Sequence, residues 1–123
     1  MSARDISFFF QLRTQLKLYH WQTRMYSRHK ASDEVLEKLD ELIDKYVEIY
    51  IGKYGRPKLD SSTNTTTVQN LSEGSVVKYI HKYIAYMNEP LVKRLKATDT
   101  DLVNLRDEMV GELNQLLYLF TLK

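Results

Sequence analysis

The sequence predicts an all-α protein, a single antiparallel four-helix bundle spanning residues 1–123. Three observations carry that reading. Apolar residues recur at three- and four-residue steps in four separate segments, and only four glycines and two prolines punctuate the chain. No segment alternates apolar and polar residues with the period of two that a half-buried strand requires. At 123 residues, 43% hydrophobic and 28% charged, the chain suits one core, being too short for two.

The first helix is expected over residues 4–26, where Ile6, Phe9, Leu12, Leu16, Tyr19 and Thr23 share one face. The second runs over 29–54 with Leu36, Leu39, Ile43, Tyr46 and Tyr50 on one side; Ser32 or Ser27 is its expected cap, and Gly55-Arg56-Pro57 its stop. A flexible polar loop follows at about 56–73, centred on the Thr-rich run Ser61–Thr67. The third helix, 75–96, carries Val76, Ile80, Ile84, Met87, Leu91 and Leu95, and Pro90 kinks or breaks it by removing a backbone donor. Thr98-Asp99-Thr100-Asp101 then caps the fourth, 100–121, whose stripe is Leu102, Leu105, Met109, Leu113, Leu116 and Phe120.

Composition removes several function classes. With no cysteine there are no disulfides, thiolate metal sites or cysteine nucleophiles. No apolar run approaches the roughly 20 residues of a membrane span, and Met1–Ile6 lacks the pattern of a signal peptide, so an intracellular, non-secreted protein is expected. A net charge of +2 sets no strong field for nucleic acid.

The second helix holds the most informative residues. At about 100° per residue, Asp33, Asp40 and Asp44 lie close to one line, with His29 on one side and Glu37 and Glu48 on the other. Carboxylates so arranged repel one another unless cations, hydrogen bonds or raised pKa values compensate. Imidazole and carboxylate pairs at i and i+4 suit iron, manganese or zinc. The alternative is a solvated face on which Lys30, Lys38 and Lys45 pair with these acids. His20 shares the inward face of the first helix, a place where histidine is usually a hydrogen-bonded core residue; His81 and Glu112 read as edge residues.

At Leu18-Tyr19-His20-Trp21 the chain resembles the mini-ferritins, the DNA-binding proteins from starved cells. His29, Asp33, Asp44 and Glu48 stand at the spacings of that family's second-helix array, and Thr100-Asp101-Leu102 and Leu116–Phe120 resemble its last helix. The resemblance implies a ferritin-like bundle, a dimer formed along the second helix, and oxidation of ferrous iron where His20, His29 and Asp33 of one subunit face Asp44 and Glu48 of the other. The interval from His20 to His29 is nine residues, which on one continuous helix would point them about 180° apart. They share a site only if the chain bends near Ser27. No Lys-rich tail supports the family's DNA binding.

Leu18–Thr23 and Gly52–Arg56 also resemble short proteins encoded by large DNA viruses of algae and protists. That resemblance implies a virion or infected-cell location. Two functions are therefore expected as alternatives: an iron-binding, ferroxidase-like homo-oligomer, or a non-catalytic structural or interaction protein that contacts other virion proteins.

Overall fold

The computed structural model describes residues 3–123. It is all-helical: α1 is Ala3–Gln22, α2 Tyr26–Tyr54, α3 Ser75–Tyr86 and α4 Thr100–Leu119, and among the described residues there are no strands. Helix α2 packs on both α1 and α4, and α3 on α4. The predicted stripes build one core, with Leu12, Leu16, Tyr19, Leu39, Ile80, Met87, Leu91, Leu102, Met109 and Leu113 all fully enclosed.

Three boundaries differ from the sequence reading, each for a side-chain reason. Helix α1 stops at Gln22, four residues early, because the Thr23 hydroxyl accepts the Met25 N–H (3.2 Å) and donates to Glu73 (2.9 Å), turning the chain before α2 begins. Ser32 is no cap: it is buried inside α2 and donates back to the Arg28 carbonyl at 2.8 Å. Beyond Tyr86, α3 continues as one π-helical turn, Met87–Leu91, that contains Pro90. Proline supplies no donor to the preceding turn, and the wider turn accommodates the missing bond. The stop of α2 is as expected, with Gly55 at φ 92°, a conformation that disfavours side chains.

The link after α2 lies against α1. Buried Gln15 donates to the Gln69 carbonyl (2.7 Å) and accepts its N–H (2.9 Å), as a neighbouring strand would, and Gln22 donates to Asn70. Arg28 ties the start of α2 to the far end of α4, stacking on the Phe120 ring and donating to the Glu73 carbonyl at 2.6 Å. At the opposite end, buried Asp99 accepts from Tyr54 (2.6 Å), Lys53 (3.1 Å) and the Lys96 N–H (2.8 Å). Buried Asp5 likewise accepts from Tyr86 and Arg94, joining α1 to the end of α3.

Two predictions follow from this packing. A Cβ built on Gly111, exposed on α4, meets nothing within 4 Å; Gly111→Ala should therefore raise stability by about 1 kcal/mol, seen as a melting temperature a few degrees higher. The Tyr54 hydroxyl, with the Lys96 N–H and the Lys53 ammonium, holds the Asp99 carboxyl down to about 2. Folding thus favours the ionised form, and its stabilisation is complete above an ordinary carboxylate pKa of about 4 and lost as pH falls through about 2. The melting temperature should drop across that window, and Asp99→Asn should flatten the drop while lowering stability at pH 7. An unchanged acid slope in the variant would contradict this.

Candidate metal centre at the corner of α1 and α2

The bend at Thr23–Met25 brings the last turn of α1 back beside the first turns of α2. There the His20 and His29 rings stack, centroids 4.0 Å apart and planes 14° from parallel. His20 Nδ1 lies 2.8 Å from the His29 carbonyl oxygen, and His29 Nδ1 lies 2.9 Å from the His20 carbonyl oxygen. A carbonyl only accepts, so both Nδ1 atoms are donors. In the neutral rings each Nε2 then carries the lone pair, the tautomer of a histidine whose other nitrogen is held by backbone for metal binding. Ser32 Oγ, 3.1 Å from His20 Nδ1, adds a second acceptor to the buried ring.

Asp33 completes this half of the cluster. Its Oδ1 lies 3.8 Å from His20 Nε2, too long for a hydrogen bond. Two donors on one transition-metal ion at about 2.1 Å each sit roughly 3 to 3.5 Å apart, so a small rotation of the exposed Asp33 side chain suffices to bring both onto one ion.

Asp44 and Glu48 are not part of this cluster. They lie farther along α2, exposed, beside a notch of about 200 Å³ walled by Ile6, Phe9, Phe10, Ile43 and Val47. Among the described residues no three His, Asp or Glu side chains converge on one metal position within the chain. Between the two groups Asp40 is held by Arg13 from α1 at 2.5 Å, a partner that the sequence reading did not single out. Lys30, Lys38 and Lys45 form no ion pair with the stripe among the described residues. His81 is exposed on α3, and Glu112 borders a groove between α2 and α4 with Glu41 and Glu108. Neither reaches the corner.

Nitrogen-15 NMR near pH 8 should find both His20 and His29 as the Nδ1–H tautomer, with His20 Nδ1–H slow to exchange. An Nε2–H tautomer at either ring would mean that the reciprocal bonds are not made.

Comparison with known proteins gives a family and a viral relative. The model of a family of unknown function, DUF5856, matches residues 20–120. An uncharacterized 14.6 kDa protein of the mobD-ri intergenic region of Enterobacteria phage T4 is 28% identical over 104 residues, 85% of this chain and 75% of the relative. That relative belongs to a bacteriophage, whereas the sequence reading pointed to viruses of algae and protists. No solved structure matches. Neither match is to a mini-ferritin, so that resemblance rests on the residues quoted for it. With the corner, α2, α3 and α4 all inside the matched span, the chain belongs to the DUF5856 family.

Proposed function

We propose that this protein is a metal-binding homodimer on an antiparallel, ferritin-like bundle, taking ferrous iron or a similar divalent transition metal at two equivalent sites between the copies. The observation that carries the proposal is the reciprocal pair at the corner, which saturates both Nδ1 atoms and leaves both Nε2 atoms with their lone pairs, that of His20 3.8 Å from Asp33. With its Nδ1–H given to a carbonyl, each neutral ring keeps one nitrogen as an electron-pair donor, on buried His20 and on half-exposed His29.

The rest of the donor set comes from symmetry. His29 to Glu48 and Asp33 to Asp44 are both centred between Lys38 and Leu39. A two-fold axis crossing α2 at that level sets the His20, His29 and Asp33 cluster of one copy against Asp44 and Glu48 of the other. Near the axis the stripe would set Glu37 of each copy against Asp40 of the other, and Arg13 supports the arrangement by neutralising Asp40.

The stacking bears on stoichiometry. Imidazole lone pairs lie in the ring plane, and those of two stacked rings, with centroids 4.0 Å apart and planes 14° from parallel, do not meet at one ion. Each ring therefore takes its own ion, giving a two-metal centre of mixed nitrogen and oxygen donors. Two ferrous ions so held would each give one electron to hydrogen peroxide, which would take up two protons and leave as two waters while both ions become ferric, the chemistry that the ferroxidase reading needs.

Calorimetry with zinc and with anaerobic ferrous iron should show tight binding at pH 7. Asp44→Asn with Glu48→Gln should weaken that binding at least tenfold without altering helical content. No metal affinity in the unmutated protein, or equal affinity in the double variant, would overturn the proposal. The same face would then be a protein contact alone, as in the structural, virion-associated reading.

A further inference from the structure

The face that carries the half-site is also grooved and apolar. A furrow of about 750 Å³ runs between α1 and α2, walled by Phe10, Leu18, Trp21 and Leu36, and it shares Phe10 and Arg13 with the 200 Å³ notch beside Asp44 and Glu48. The two hollows thus adjoin along the helix pair, one at either side of Phe10 and Arg13. Trp21, 68% exposed, stands at the His20 end of the furrow, and Phe10 is 44% exposed. An isolated exposed aromatic is ordinary, but a tryptophan beside an apolar furrow is the composition of an interface anchor.

The rims of the furrow are oppositely charged. Arg13 and Lys17 line it from α1, and Asp33, Glu37 and Asp40 from α2. The two-fold proposed above carries the level of Arg13, which is that of Asp40, onto Glu37 of the other copy, so a basic residue of one rim meets an acidic residue of the other. Neither a uniformly acidic nor a uniformly basic partner would satisfy both rims.

The level of Trp21 under that rotation can be read from contacts within the chain. Arg13 sits level with Asp40, Phe9 with Tyr46 and His20 with His29, so Trp21 lies at the height of the first turns of α2. An axis between Lys38 and Leu39 carries that height onto Val47 and Glu48. These are the residues that border the notch.

We infer that in the dimer the Trp21 indole of each copy seats in the other copy's notch, between Phe9, Ile43 and Val47, and that this pair of apolar anchors holds the metal half-sites together. The inference rests on the dimer proposed above and adds what binds it. The metal ligands then define the site, while the tryptophans supply association in the metal-free protein.

The chain contains a single tryptophan, so its fluorescence reports this residue alone. Acrylamide quenching should be followed, without metal, from the micromolar concentrations at which sedimentation should show a dimer down to the monomer. Emission should be blue-shifted and shielded in the dimer and become quenchable on dilution. Trp21→Ala, a change at an exposed position, should weaken dimerisation at least tenfold. Val47→Arg, checked by circular dichroism for intact helices, should do the same and leave Trp21 quenchable at every concentration. If the wild-type dimer leaves Trp21 as quenchable as the monomer does, or either variant dimerises normally, the inference fails. Metal binding that still depends on Asp44 and Glu48 would then show that the functional proposal survives it. A wild-type protein that stays monomeric with and without zinc would sink both.

Discussion

The paired hydrogen bonds between His20 and His29 are the constraint on which the site depends. Each imidazole donates from Nδ1 to the other residue's carbonyl, so two residues nine apart in sequence clamp the end of α1 to the start of α2. A net hydrogen bond contributes only about 1 kcal/mol, but a buried polar group left without its partner costs about 1–3 kcal/mol. The bonds therefore matter most as a requirement: with His20 enclosed, the corner closes with both made. One geometric fact sets three others, namely the tautomer of both rings, the direction of their remaining lone pairs, and the approach of Asp33 to His20 Nε2.

Charge along α2 is arranged around that corner. The central acid, Asp40, is paired to Arg13, and Asp33 faces an imidazole, while Asp44 and Glu48 stand exposed without an ion pair among the described residues. An ordinary solvated helix face spreads its lysines among its acids at i and i+4. Here Lys30, Lys38 and Lys45 form no ion pair with the stripe among the described residues, and Asp44 and Glu48 border the notch. That polarity is what a shared site between two copies calls for, and it is why the functional reading and the proposed association depend on the same face.

Much of the fold was legible in the sequence, because burial in a helix writes itself as a three- and four-residue rhythm. All six predicted positions on α4 are buried, and Phe9, Leu12, Leu16 and Tyr19 are buried on α1. What the rhythm does not encode is where a helix stops when neither glycine nor proline is present. The corner at Thr23–Met25 is made by a threonine hydroxyl and by tertiary bonds to Glu73 and between the histidines. Ser32 misled for a related reason: a buried serine satisfying itself on its own helix looks, in one dimension, like a cap. Gln15 was silent altogether, since a polar residue inside an apolar stripe does not announce that its amide holds a distant loop. Of the candidate site, one half is a matter of spacing and the other of tertiary structure. The spacing of His29, Asp33, Asp44 and Glu48 could be read directly, whereas the stacking of His20 on His29 follows from the corner and could be stated only as a condition.

The proposed function requires that the two Nε2 atoms at the corner be metal donors completed by a second copy. A crystal structure of the protein grown with zinc or anaerobic ferrous iron, with anomalous data at the metal edge, would show them at once. Anomalous peaks are expected about 2.1 Å from His20 Nε2 and His29 Nε2, with Asp44 and Glu48 of a two-fold related copy in the same coordination shells. Peaks absent from the corner, or held there by one copy alone, would contradict it.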